Sequence, residues 1–263
     1  MKVLLIGDIV GSPGREAVRR IVPKLRRDKS IDFVIANAEN VAGGSGITPE
    51  TVDELFQNKV DVITSGDHVW KKKELYETLS KEKRVLRPAN YPLTCPGSGM
   101  AVISLENGKK IAVINLLGRV FMKPADCPFV AAEREIEKIN RATKIILVDM
   151  HAEATSEKIA MGRFLDSRVS VVFGTHTHVQ TADEKIFPGG TSYITDLGMT
   201  GPQDSVIGRR VDAIVEHFLT SMPKKFEVAD KDVELQGAIV NIDDESGKAL
   251  SIERVKEKIE SYY

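Results

Sequence analysis

Short apolar runs rich in valine and isoleucine recur along the chain, separated for the most part by stretches with helical patterning. Segments 2–7, 33–38, 60–64, 144–149 and 169–173 have the length and β-branched content of buried strands. Between them the pattern predicts a helix over 15–27, with Pro23 breaking or restarting it because proline lacks the N–H that an inner helical turn needs. Thr48-Pro49-Glu50 reads as a helix start, with Thr48 as cap and proline at the first helical position. KKKELYETLS, 130–140 and 155–165 read as further helices, and VDAIVEHFLT as one that carries His217 as a surface histidine. The middle of the chain differs. Runs 100–105 and 110–116 flank Glu106-Asn107-Gly108-Lys109, a hairpin signal that brings an antiparallel pair into the sheet. Segments 191–195 and 233–242 add strands, and no internal repeat, low-complexity tract or heptad array is evident. This mixture predicts an α/β fold of two packed mixed sheets with helices outside.

At 263 residues the chain can bury a sizeable core, and it is read as one domain spanning 1–263 with no linker. The formal net charge of -1 supplies no global field toward DNA or an anionic membrane, so no extended nucleic-acid surface is expected and a small soluble ligand is the default. Met1 runs directly into the first strand without a basic and apolar leader, and no apolar stretch approaches the roughly 20 residues of a membrane span. A cytoplasmic protein is expected, with assembly into a homo-oligomer left open. Cys95 and Cys127, each followed by proline, lack the paired spacing of a zinc ribbon or disulfide framework and read as inert loop thiols.

The ends of the apolar runs carry the chemistry. VLLIG leads to Asp8, FVIANA to Glu39-Asn40, DVITSG to Asp67-His68, KIILVDM to His151, and VSVVFG to Thr175-His176-Thr177-His178. Four of the five histidines fall in these endings, and in open α/β sheets ligands gather at the carboxyl ends of strands. Each residue alone has a plainer reading. Asp8 can be a turn former, Glu39-Asn40 the start of a turn, and Asp67 a helix cap before Lys71. His176 and His178 stand at i and i+2, a spacing that in extended backbone points two imidazoles the same way. Together the endings point to a metal centre.

Three carboxylates, one amide and three imidazoles suffice for two divalent ions sharing a bridging carboxylate, a site type that activates a bridging water for in-line attack at phosphorus. His68 is then left beside the ligand Asp67 as general acid for the leaving oxygen, since imidazoles titrate near neutrality. The mixed oxygen and nitrogen ligands, without thiolate, suit iron or manganese, with zinc as the competitor.

The segments GDIVGSPGR, IANAENVAGGSGIT, TSGDHVW, DMHAEATSEK, GTHTHVQTAD and ITDLGMTGP together resemble the calcineurin-like metallophosphoesterases, in particular the bacterial branch of 2′,3′-cyclic-nucleotide 2′-phosphodiesterases. The resemblance spans essentially the whole chain. It implies a four-layer αββα sandwich, one ion held by Asp8, Glu39, Asn40 and His178, and another held by Glu39, Asp67, His151 and His176. It also implies hydrolysis of small phosphodiesters, with 2′,3′-cyclic nucleotides as the leading class, by a metal-bridging hydroxide with His68 as acid. The general family's Asp-x-His is Asp8-Ile9-Val10 here, its bridging aspartate is matched by Glu39, and its Gly-Asn-His is Gly66-Asp67-His68, which alters the charge of the site. A phosphomonoesterase on the same scaffold and a non-catalytic metal- or nucleotide-binding regulator are the alternatives; His68, not needed for ligation, favours an enzyme.

Other features carry less. Gly7, Gly11 and Gly14 do not match a dinucleotide fingerprint, and no Lys-Ser/Thr follows to make a phosphate loop. Arg15 reads as solvent-facing, with an anion contact near the first helix as the other reading. Gly43-Gly44 can admit a substrate or merely turn the chain, and Trp70 can stack on a base or pack the next helix.

Overall fold

The computed structural model describes residues 1–139 and 142–259, and the apolar runs become the inner strands of two mixed sheets. In chain order the first half gives β1 (Lys2–Ile6), β2 (Asp8–Ile9), α1 (Gly11–Asp28), β3 (Phe33–Asn37), α2 (Pro49–Gln57), β4 (Val62–Thr64) and α3 (Leu75–Lys81). The middle gives β5 (Met100–Ser104), β6 (Lys110–Leu117), α4 (Pro128–Ile139), β7 (Ile146–His151), α5 (Thr155–Phe164) and β8 (Val171–Thr175). There follow β9 (Lys185–Ile186), β10 (Ser192–Ile194), β11 (Met199–Pro202), α6 (Val211–Thr220), β12 (Val233–Ile242) and β13 (Ala249–Lys258).

One sheet runs β2-β11-β12-β1-β3-β4, with β13 along the other side of β12. In it β1 and β3 pair in parallel with Leu5 opposite Ile35, and β3 pairs with β4 with Ile35 opposite Val62. The other sheet runs β5-β6-β7-β8-β10-β9; its centre is parallel, and the predicted hairpin supplies the antiparallel edge pair β5–β6.

Alternation along the strands sorts side chains into three apolar layers. Val3, Leu5, Phe33 and Ile35 of the first sheet face Val113, Leu147, Val171 and Phe173 of the second. Leu4, Ile6, Val34 and Ala36 point the other way, onto Ala17, Val18 and Val22 of α1. On the far side Ile114, Val148 and Met150 cover Ala131, Ala132 and Met161 from α4 and α5. The result is the expected sandwich of two mixed sheets between helical layers.

Local chemistry explains the boundaries. Thr48 caps α2 by accepting the Thr51 N–H, and the Thr51 hydroxyl accepts the Thr48 N–H in return. Pro23 does not break α1, contrary to the sequence expectation. It lies on the solvent face, where the carbonyl one turn back can bond water, while Ala17, Val18, Ile21, Val22 and Leu25 hold the opposite face against the sheet. The helix also begins earlier than predicted, at Gly11, and the helix predicted over KKKELYETLS starts only at Leu75. Asn140, the last residue of the helix predicted over 130–140, lies outside the described residues.

Candidate metal centre

Because the central strands run with their carboxyl ends at one edge, five separate segments meet there. Asp8 opens β2 just past β1, Glu39-Asn40 follow β3, Asp67-His68 follow β4, His151 ends β7, and His176 and His178 follow β8. Side-chain donor atoms of Glu39, Asp67, His151 and His176 all lie within 4.8 Å of one another. The His151 Nε2 stands 3.3 Å from Glu39 Oε2, 4.0 Å from Asp67 Oδ1 and 3.1 Å from His176 Nδ1. Gly66 makes this approach possible: a β-carbon there would lie 2.1 Å from the His151 ring and 2.4 Å from Glu39 Oε2.

Asp8, Asn40 and His178 lie beside this group but are joined pairwise. His178 Nε2 is 3.8 Å from Asp8 Oδ1 and 3.2 Å from Asn40 Nδ2, and Asn40 Nδ2 donates to Glu39 Oε1 at 3.3 Å. The Asn40 carbonyl faces His68 Nδ1 at 2.8 Å, so ligation by that oxygen beside His178 requires a half-turn of the amide. The contact with Asn40 orients the His68 ring, and the His68 backbone N–H donates to Glu39 Oε2 at 3.1 Å. His176 and His178 are not in the extended backbone that their spacing suggests. Both have positive φ, 103° and 65°, and the turn sends one imidazole to each group instead of aligning the two.

The outer nitrogen of each histidine has its own acceptor. Thr64 and Thr175 hydroxyls donate to the buried Asp149 carboxylate, so the Thr175 oxygen accepts from His151 Nδ1 at 2.9 Å. His178 Nδ1 donates to the Ile207 carbonyl at 3.1 Å, and His176 Nε2 pairs with Glu153 at 3.2 Å. These contacts leave His151 Nε2, His176 Nδ1 and His178 Nε2 as lone pairs aimed into the site. Asp8 Oδ1 and Asp67 Oδ1 are buried there with no hydrogen-bond partner among the described residues. Lone pairs converging from imidazoles and orphaned carboxylate oxygens repel one another unless a proton or cation lies between them, so the donor set fits a divalent ion.

The electrostatics agree. Burial opposes ionisation of Glu39, but His151 and then His68 overcome it and hold its carboxyl below the ordinary carboxylate range. Burial also opposes a charged His151, yet Glu39 raises it to about 9, while burial and His151 together lower His176 to about 4. The surrounding carboxylates thus favour positive charge in this place.

The roles of several residues around the candidate ligands went unread in the sequence. Asn37, Thr64, Asp149 and Thr175 form a buried polar cluster beneath His151; the available signal was polar residues inside otherwise apolar strands. Lys158 on α5 is buried and pairs with buried Asp196 at 2.7 Å; Asp196 also accepts the Thr177 N–H at 3.1 Å and its hydroxyl at 2.8 Å, gripping the turn between His176 and His178. Lys123 reaches Asp67 Oδ2 at 2.9 Å and its carbonyl at 3.1 Å, offsetting the extra charge of an aspartate at this position. Of the side features, Arg15 is neither free nor an anion contact: it bonds Glu54 at 2.6 Å and the Val41 carbonyl at 2.9 Å, tying α1 to α2. Trp70 packs edge-on against Tyr76 and Tyr91. His217 is a half-exposed residue of α6, and Cys95 and Cys127 are free thiols.

The chain and its fold resemble known proteins. The chain is 47% identical over 255 residues to the 2′,3′-cyclic-nucleotide 2′-phosphodiesterase of Bacillus subtilis (strain 168), covering 97% of this chain and 96% of that one. A crystal structure of a hypothetical protein from Thermus thermophilus matches with a TM-score of 0.92 and 39% identity, over 98% of this chain and 99% of the other. The crystal structure of a novel phosphatase of Mycoplasma pneumoniae matches with a TM-score of 0.92 and 33% identity, over 98% and 93%. The description "YmdB-like protein" fits residues 4–255, which include every strand-end residue of the site. With sequence and fold shared over nearly the full length, this chain belongs to the YmdB-like family.

Proposed function

We propose that this protein is a metal-dependent phosphodiesterase that hydrolyses small phosphodiesters, with 2′,3′-cyclic nucleotides as substrates and His68 as general acid. The observation that carries the reading is the convergence of Glu39, Asp67, His151 and His176 within 4.8 Å, beside an imidazole that Asn40 orients, in a chain 47% identical to a 2′,3′-cyclic-nucleotide 2′-phosphodiesterase. Glu39, Asp67, His151 and His176 would hold one divalent ion; Asp8, Asn40 and His178, with Glu39 shared, would hold a second. Bound there, such ions supply Lewis-acid polarisation of phosphoryl oxygens and an activated water. Iron or manganese suits the oxygen and nitrogen donors, with zinc as the competitor.

The chain's own residues perform the proton chemistry. Water adds to phosphorus, the bond from phosphorus to O2′ breaks, and His68 delivers a proton to that oxygen, leaving a 3′-phosphomonoester. His68→Ala should keep its metal and lose activity most on nucleotides, whose alkoxide leaving groups need a proton, and least on nitrophenyl diesters, which do not. Equal losses on both would remove His68 from the acid role.

The test of the whole reading is elemental analysis of protein purified without chelator, followed by a panel of 2′,3′-cyclic, 3′,5′-cyclic and monophosphate nucleotides on the same sample. Two transition ions per chain and release of a 3′-phosphate from the 2′,3′-cyclic substrate are expected. Faster turnover of the monophosphates, or no turnover with full metal, would overturn it.

A further inference from the structure

The cavity over the site, about 350 Å³, is lined by Glu39, Asn40, His68, His176 and His178 and also by Arg209. Arginine is costly to desolvate, and most arginines here meet a carboxylate: Arg15 meets Glu54, Arg26 meets Asp61 and Arg84 meets Glu82. Arg209 has no carboxylate partner among the described residues. Its Nη1 and Nη2 donate to the backbone carbonyls of Gly43, Gly44 and Phe226, and no hydrogen bond leaves its Nε. Desolvation is the cause of its lowered pKa, with no facing acid raising it. Gly44, at φ 86°, sits so close that a β-carbon would come within 2.4 Å of Nη1, so the loop after Glu39-Asn40 is shaped around this guanidinium. Two residues earlier, the Ile207 carbonyl receives the His178 Nδ1 proton, so one segment fixes both a ligand imidazole and the arginine.

Arg87 offers an internal contrast. It too bonds only backbone carbonyls, those of Pro88, Pro92 and Pro96, but it is 3% exposed and lines no cavity beside the metal ligands, as befits a purely structural clamp. Arg209 instead lines the cavity over the candidate metal centre. A fixed guanidinium with unused N–H donors and no internal counter-charge suits a phosphoryl oxygen, which it meets in charge-assisted, fork-like geometry.

We propose that Arg209 is a substrate-binding residue, contacting a non-bridging oxygen of the phosphoryl group held at the site. The inference rests on the phosphodiesterase reading only for the identity of the substrate, since anion binding can be measured without turnover. Inorganic phosphate is titrated calorimetrically into metal-loaded wild type, Arg209→Gln and Arg209→Lys, with metal content and Tm measured on each sample. Arg209→Gln should weaken phosphate binding about tenfold or more, the usual scale for losing a charge-assisted hydrogen bond, with metal content unchanged; Arg209→Lys should recover part of the loss. KM should rise in parallel for a 2′,3′-cyclic nucleotide and for bis(p-nitrophenyl) phosphate, which share only the phosphodiester.

Phosphate affinity of Arg209→Gln within twofold of wild type would overturn the proposal. So would equal losses in both variants accompanied by metal depletion and a lower Tm, which would make Arg209 a loop clamp like Arg87. A rise in KM confined to the nucleotide would move the contact to the base or ribose and equally overturn it. If wild type binds phosphate but hydrolyses no diester, the phosphodiesterase reading fails while the Arg209 contact is still decided by the titration.

Discussion

Two positions in the site illustrate how a single atom decides the chemistry. At Gly66 the missing β-carbon lets His151 and Glu39 close to 3.3 Å. Gly66→Ala should therefore cost about 1–3 kcal/mol from overpacking and, more tellingly, separate the two ligands. Chelator competition should show metal retention falling with it; a variant that keeps full retention at lowered Tm would show that the ligands can part without losing the ion. At Asp67 the carboxylate faces Lys123 with one oxygen and the other candidate ligands with its orphaned Oδ1. Asp67→Asn removes a negative charge next to the place where phosphate would bind and leaves Lys123 uncompensated. Tighter inhibition by inorganic phosphate and weaker metal retention are expected together. Weaker phosphate inhibition at verified full metal content would mean that Asp67 carries no charge role in the site.

Elements carry these residues into place, and the sequence reveals some of them better than others. The inner strands are legible because burial on both faces forces long apolar runs, as in FVIAN and VVFGT, and the turns that carry the candidate ligands are legible because they follow those runs. β13 is not: its residues ALSIERVKEK are mostly exposed, so pairing along β12 holds it in the sheet without an apolar pattern to announce it. Pro23 misleads for the converse reason, since the packing of one helix face outweighs a single lost hydrogen bond on the other. The grip on the His176–His178 turn also escapes a linear reading, because it joins Lys158 of α5 to Asp196 just after β10, 38 positions apart. Lys158→Met would leave the Asp196 carboxylate buried without its cation, costing about 3–5 kcal/mol. Urea unfolding should show that loss, and chelator competition should show faster release of metal as the turn carrying both imidazoles loosens. Unchanged stability would mean that Thr177 alone holds Asp196.

At the scale of the whole molecule, the site is divided between the sheets. Asp8, Glu39, Asn40, Asp67 and His68 belong to the first sheet's strand ends, and His151, His176 and His178 to the second's. At their centre the two sheets are tied by the apolar layer in which Val3, Leu5, Phe33 and Ile35 meet Val113, Leu147, Val171 and Phe173. Ions held across the seam would therefore bind the native packing and not the separated sheets, and by linkage a ligand at a hundred times its Kd stabilises by about 2.7 kcal/mol per site. Stripping metal should lower Tm by several degrees, and returning iron or manganese should restore it in a concentration-dependent way. Location makes the argument sharper. Leu147→Ala opens a cavity between the sheets at a cost of about 2–5 kcal/mol and should also weaken metal binding, because it disturbs the layer that sets the spacing of the two ligand sets. Val18→Ala, in the layer between α1 and the first sheet, should lower stability while leaving metal affinity within about twofold, since distant sites with no shared partner act nearly independently. Metal affinities from chelator competition on both variants, set beside their unfolding free energies, decide the matter. If Val18→Ala weakens metal binding as much as Leu147→Ala, or if stripping leaves Tm where it was, the ions are not bracing the seam between the sheets.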